Sequence, residues 1–176
     1  MTHPLYSASV PVFKKMLAAL DANLAKTEKH VADRKIEPAA FLDARLFPDM
    51  FTFVRQVQIA CDFAKSVPAR LANVDVPSYE DNEKTFEDLH ARIAKTLKFI
   101  EGIDAAKFAG SEGRGIVLRP GTPRERKFDG GEQYLFAYGI PQFFFHVTTA
   151  YALLRHYGVE LGKADYLGPM QPPPAA

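Results

Sequence analysis

Apolar side chains recur at steps of three and four residues in four stretches of the chain, the spacing of one face of an α-helix. In the first stretch, Phe13, Leu17 and Leu24 share such a face. The four stretches predict helices over residues 5–32, 49–72, 79–102 and 129–157. Four such stripes joined by modest connections predict an all-α fold, an antiparallel four-helix bundle.

The pattern changes between the third and fourth predicted helices, where apolar residues no longer recur at helical steps. The runs GIVLR and RERKF flank the turn-forming sequence PGTP, which predicts a short β-hairpin excursion. Basic residues cluster in this segment: Arg119, Arg124, Arg126 and Lys127. We interpret the cluster as a solvated edge that discourages strand pairing, with an anion site as the alternative.

Start and stop signals refine the boundaries of the predicted helices. Pro48 suits the first turn of helix two, and Ser78 suits the N-cap of helix three. Asp129 with Glu132 resembles a capping box for helix four, and Gly158 is a stop signal. We therefore expect a single domain over residues 1–168. The Pro-rich tail GVELGKADYLGPMQPPPAA, residues 158–176, is expected to be non-helical, and its last residues, 169–176, are expected to be disordered.

Charge and composition exclude several classes of partner. The chain carries 22 basic and 21 acidic residues, for a net charge of +1, so neither a nucleic-acid footprint nor a polybasic membrane segment is expected. Cys61 is the single cysteine, which rules out an intramolecular disulfide. No signal peptide and no run of about 20 apolar residues is recognisable. We therefore expect a cytoplasmic protein without a membrane partner.

Polar residues inside the apolar stripes are the candidates for chemistry, because a bundle core otherwise favours hydrocarbon side chains. In helix four, Gln142 and His146 lie one turn apart beside an aromatic seam. Helix two offers Gln58 and Asp62, again one turn apart, and helix three offers His90. If these faces converge, the five side chains line a small polar pocket inside the bundle.

Two other interpretations of the same residues stay open. A histidine beside an apolar face often makes one hydrogen bond and packs, and buried glutamines are often satisfied core amides. A metal site requires convergent ligands, yet the helices contain no HxxxH, HxxE or ExxH pattern, and the pair nearest to one is Gln142 with His146. A neutral amide is a poor zinc ligand, so these residues disfavour a strong transition-metal site.

Three segments carry a resemblance to a known family: LFPDMFTFVRQVQIACDFAK, VPSYEDNEKTFEDL and IPQFFFHVTTAYALLRHYGVELGKADYLG. Through them the chain resembles the DinB/YfiT-like helical-bundle superfamily, and within it a bacterial subfamily described as a domain of unknown function. The resemblance implies a four-helix bundle that is often dimeric. It also implies a divalent-metal site with one histidine from helix two and an HxxxH pair from helix four.

Carried over by position, the resemblance places His146 at the second histidine of the pair and Gln142 at the first. The helix-two ligand falls at Gln58, or alternatively at Gln56. Two of the three ligand positions therefore hold glutamine, which departs from the superfamily's metal set. Because of this departure we predict no cofactor, and the alternative is a zinc or nickel ion bound at His146.

These observations lead to three hypotheses for function. The first is an uncharacterised DinB-like protein whose polar pocket is a degenerate metal site or binds a small molecule. The second is a divalent-metal-dependent hydrolase or thiol transferase, with His146 as ligand or general base. The third is a non-catalytic homodimer in which apolar residues such as Phe143 to Phe145 pair two bundles.

Overall fold

The computed structural model describes residues 3–169 and is mostly helical. The helices are α1 (Pro4–Ser7), α2 (Val10–Arg34), α3 (Ala39–Leu42), α4 (Phe53–Leu71), α5 (Phe86–Glu101), α6 (Gly131–Tyr134), α7 (Ile140–His156) and α8 (Lys163–Leu167). A 3₁₀ turn spans Ala105–Phe108, and a π-helical turn spans Leu135–Gly139. Strands β1 (Ile116–Leu118) and β2 (Arg126–Phe128) form one antiparallel pair.

The helix α4 lies at the centre of the packing. It packs against α2, α5 and α7, and α2 in turn packs against α5 and α7. The apolar stripes of the sequence meet in this core, where Phe13, Phe53, Leu89, Ile93 and Phe143 are all fully buried. Each such side chain contributes about 1.5–3 kcal/mol by leaving water, so the stripes account for the mutual packing of the long helices.

Two of the predicted helix starts are wrong. The helix α4 begins after Thr52, whose side chain accepts a hydrogen bond from the Arg55 N–H, so Pro48 lies outside it. The helix α5 begins after Thr85 rather than Ser78. Thr85 and Asp88 form a capping box in which each side chain accepts from the other residue's backbone N–H.

The fourth predicted helix is present as three consecutive segments: α6, the π-helical turn and α7. The backbone hydrogen-bond pattern changes from α-helical to π-helical and back. Gly130, not Asp129, occupies the N-cap of α6, and the Asp129 N–H donates to the Gln133 side chain. The next turn is π-helical and ends just before Pro141. Because proline lacks an N–H and its ring crowds the carbonyl four residues earlier, the preceding turn widens.

The C-terminal stop of α7 is as predicted, since Gly158 has a left-handed φ of 85° just after the helix. The predicted non-helical tail is wrong in part, because residues 163–167 form α8. The Lys26 ammonium on α2 lies 2.6 Å from the Asp165 carboxylate and ties α8 to the bundle. The predicted disorder concerns residues 169–176, of which 170–176 lie outside the described residues.

The predicted hairpin is confirmed, with Ile116 opposite Phe128. Ile116 is buried, and the Phe128 ring lies 5.2 Å from the ring of Tyr134 and 5.4 Å from that of Tyr138. A two-stranded hairpin is marginal alone in water, so these contacts hold it on the bundle.

No helix among residues 3–169 combines the length and the apolar composition that a membrane span requires.

Gly130 lets the loop before the hairpin approach the start of α6, and its replacement should destabilise the fold. A Cβ on Gly130 would lie 2.0 Å from the Glu112 carbonyl oxygen, a backbone atom. We expect Gly130→Ala to lower the free energy of unfolding by about 1–3 kcal/mol, as overpacking does, measured by urea denaturation. Gly113→Ala is the matched control because a Cβ there meets nothing within 4 Å. Equal effects of the two substitutions would contradict the close approach.

Candidate functional site

A buried histidine–glutamine pair joins α7 to α4. His146 and Gln56 are 6% and 1% exposed, and the His146 Nδ1 lies 2.7 Å from the Gln56 Oε1. The Gln56 Nε2 donates to the Phe51 carbonyl oxygen at 3.3 Å, which fixes the orientation of the amide. Because Oε1 only accepts, the His146 Nδ1 carries the proton, and in the neutral ring Nε2 keeps its lone pair.

The surroundings of His146 hold the imidazole neutral. Burial, reinforced by the positive charge of Arg55, lowers the pKa of His146 to about 4. The Phe63 ring lies nearly parallel to the imidazole with centroids 6.1 Å apart, and the Phe145 ring meets it edge-on at 5.1 Å. The pair is therefore an uncharged polar group enclosed by aromatic rings at neutral pH.

Gln58, the preferred helix-two residue of the sequence analysis, does not meet His146. Its Oε1 accepts from Arg55 at 3.0 Å, and its Nε2 donates to the Glu83 carboxylate at 2.8 Å. Positions two residues apart on a helix differ by about 200° around the axis, so Gln56 and Gln58 face nearly opposite sides of α4. The alternative residue, Gln56, is the one that His146 contacts.

Asp62 belongs with Gln58 to a different cluster, centred on the buried guanidinium of Arg92 on α5. Arg92 pairs with Asp62 and Asp81 at 3.0 Å each and with Glu83 at 2.8 Å, while its side chain is only 2% exposed. A buried cation is costly unless it is paired and hydrogen-bonded. These contacts hold the extended segment before α5 against α4, which gives the cluster a structural role.

His90 lies in a third place, between α5 and α2. Its Nδ1 is 2.6 Å from Asp21 and its Nε2 is 3.1 Å from Glu28. Burial lowers the pKa of His90, but the hydrogen bonds and charges of Asp21 and then Glu28 outweigh that effect and raise it above its ordinary value. The predicted pocket of five residues thus divides into three separate groups.

Gln142 lies one turn before His146 on α7 and is half-buried. With His146 and the alternative helix-two residue Gln56, it makes up one of the two sets of positions at which the resemblance implies metal ligands. Phe63, which the sequence analysis did not single out, follows Gln56 by seven residues on α4 and so shares its face. That spacing is the signal from which its contact with His146 was predictable.

The residues at these three positions do not fit a divalent metal. The donors are two neutral amides and one imidazole, and the Gln56 oxygen is engaged by the His146 Nδ1–H. The charge of Arg55, which acts on His146, would also repel a cation. Within residues 3–169, no group of three or more His, Cys, Asp or Glu side chains is arranged to hold a metal ion.

Comparison with known proteins found one family model and a similar solved structure. The model of the family "Domain of unknown function (DUF1993)" matches residues 5–167. A crystal structure of a DinB family member from Shewanella denitrificans is similar, with 39% sequence identity, 96% of each chain covered and a TM-score of 0.88. No curated protein matches the chain significantly.

The low pKa of His146 predicts a specific dependence of stability on pH. The unfolded chain takes up a proton at this residue near the ordinary value of 6.5, and the folded chain only near 4. The free energy of unfolding therefore decreases, by up to roughly 3 kcal/mol, as the pH falls from 6.5 to about 4. Urea unfolding across the window should show the loss in the wild type, and His146→Asn should remove that part of it.

Nitrogen NMR of the same samples checks the tautomer directly. We expect a neutral His146 ring with the proton on Nδ1 near neutral pH. A His146 ring that is charged near neutral pH, or that carries its proton on Nε2, would contradict the hydrogen-bond assignment.

Proposed function

The chain belongs to the DUF1993 family, and we propose that it is a DinB-like four-helix-bundle protein whose former metal position is a metal-free site for a small molecule. The site comprises Gln56 and His146, with Gln142 beside them. The observation that carries the proposal is the 2.7 Å hydrogen bond between His146 and Gln56. The resemblance to the DinB/YfiT-like superfamily implies metal ligands at His146 and, as the alternative to Gln58, at Gln56.

The protonation state of His146 supports binding rather than proton transfer. A general base works best when its pKa lies near the working pH, and a pKa of about 4 is far below neutrality. The lone pair on Nε2 instead accepts a hydrogen bond from a ligand donor. The rings of Phe63 and Phe145 provide apolar surfaces for the rest of such a ligand.

Calorimetric titration with zinc, nickel and manganese tests the metal-free assignment. We expect no tight stoichiometric uptake by the wild type, because the site offers neutral amides and lies near the charge of Arg55. The variants His146→Ala and His156→Ala should behave like the wild type. His156 is the control because it is an exposed histidine on the same helix.

One result would overturn the assignment: tight one-to-one uptake that is lost in His146→Ala and kept in His156→Ala. That outcome would favour the metal-dependent hydrolase or thiol transferase.

Exposed aromatic residues on α7 and on the connector before α4 support a second candidate, a homodimer built on an apolar surface. Phe145 is 56% exposed, and Phe47 and Phe51 of the connector before α4 are 65% and 54% exposed. Leu46 and Phe145 line one shallow depression. Exposed apolar patches of this kind mark protein interfaces. Phe143, expected in the interface from the sequence, is fully buried and belongs to the core.

A charge placed in this patch tests the dimer. We expect the wild type to be a dimer by light scattering coupled to size exclusion. Phe145→Lys should be monomeric because the lysine would have to be desolvated at the interface. Phe136→Lys is the matched control, since Phe136 is 50% exposed and does not line the depression. A monomeric wild type, or equal dissociation of both variants, would exclude this surface as the interface.

A further inference from the structure

A small cavity lies where the hairpin meets the bundle, on α4 and the π-helical turn. Its volume is about 150 Å³. The hairpin segment contributes three of its arginines, and α4 contributes a fourth. The lining residues are Phe63, Arg70, Leu118, Arg119, Arg124, Arg126 and Tyr138.

The four guanidinium groups have no carboxylate partner within residues 3–169. Arg70 donates only to the Ser66 carbonyl and to the Tyr134 hydroxyl. Glu125, the acidic residue of the hairpin, is engaged by Lys127 at 3.1 Å and by the Gly121 N–H at 2.6 Å. The cavity therefore concentrates positive charge that the described protein does not neutralise.

Two aromatic rings form the other part of the lining. The rings of Phe63 and Tyr138 meet edge-to-face with centroids 5.7 Å apart, and the Arg126 guanidinium lies 5.6 Å from the Tyr138 ring centre. Tyr138 belongs to the π-helical turn, a geometry that recurs at functional sites. Flat apolar surfaces beside guanidinium groups suit an organic anion better than a bare inorganic one.

The backbone that presents Arg119 is strained. Its φ is 50°, a left-handed conformation that residues other than glycine rarely adopt. Glycine would occupy this position without strain, yet the chain places an arginine there. The Thr122 N–H and the Thr122 hydroxyl both donate to the Arg119 carbonyl oxygen, at 3.3 and 2.9 Å, and so hold this turn.

We propose that this cavity binds a compact organic dianion, a phosphate monoester or a dicarboxylate, through the four arginines and the two rings. Guanidinium groups bind both oxyanions in the same two-point geometry. The volume is below the range of about 300–1,000 Å³ that is usual for drug-sized ligands. The cavity therefore accommodates the anionic group and one ring rather than a whole nucleotide.

Calorimetry with four probes tests the site: phenyl phosphate, phthalate, inorganic phosphate and, as the uncharged aromatic, benzyl alcohol. We expect saturable one-to-one binding of phenyl phosphate or phthalate, and which of them binds more tightly identifies the oxyanion. Inorganic phosphate should bind more weakly, benzyl alcohol should not bind, and added salt should weaken the binding of the anions.

Substitutions locate the binding at the cavity. Arg124→Gln and Arg126→Gln should each reduce affinity by at least about tenfold, because each removes a charge-assisted contact. Lys127→Gln, on the same strand but outside the lining, should stay within about twofold of the wild type, as expected for a rim charge with little effect on affinity. Circular dichroism checks the fold of each variant.

Arg126→Lys keeps the charge without the guanidinium fork, so it also keeps the test informative if the glutamine variants do not fold. Arg126→Lys should weaken anion binding if the Arg126 guanidinium donates two hydrogen bonds to the same oxyanion. Absence of saturable binding for all three anions would overturn the proposal. Equal weakening by Lys127→Gln would do the same, because it would indicate diffuse surface charge of the kind expected from a solvated hairpin edge.

Discussion

The buried guanidinium of Arg92 is the constraint on which the arrangement around α4 depends. A cation that is 2% exposed must be surrounded by acceptors. Arg92 meets this need with Asp62 of α4 and with Asp81 and Glu83 of the segment before α5. Gln58 completes the shell by bonding Glu83. Two residues predicted for the pocket are thereby committed to a structural ion cluster, and the opposite face of α4 is left to pair with His146.

The apolar pattern predicted the long helices because burial of hydrocarbon decides their packing, and the turn-forming sequence PGTP predicted the hairpin. The start of a helix depends on which of several nearby side chains caps its first backbone N–H groups. The capping box of Thr85 and Asp88 starts α5, and Ser78 therefore lies outside the helix. For the site, the sequence identified His146 and both glutamines of helix two. Choosing between Gln56 and Gln58 required the rotation of α4 about its axis, which Arg92 and its partners constrain from a distance in sequence. The sequence of α4 alone does not reveal these contacts, so the choice could not be made from it.

The break at Pro141 links the core to the hairpin. Widening of the turn before it brings Tyr138 against Phe128 of the hairpin and against Phe63 of α4. Phe63 in turn lies nearly parallel to the ring of His146. One proline thus contributes to a continuous aromatic path between the histidine–glutamine pair and the arginine-lined cavity. These contacts follow from the π-helical geometry of the turn before Pro141.

The two polar regions on this path differ in charge, and that difference bears on what the fold can recognise. A helical bundle that binds a divalent metal ion has a positive charge at the point where the metal ligands meet. In this chain Gln56, Gln142 and His146 offer two amides and a neutral imidazole, so these side chains carry no charge with which an anion could pair. The fixed positive charges beyond Phe63 belong to Arg70, Arg124 and their neighbours. Guanidinium groups keep their charge at any physiological pH, so an anion attracted to this side of the bundle meets arginine rather than metal. Recognition by arginine requires no cofactor and depends on the hairpin, which Gly130 and Phe128 hold against the helices.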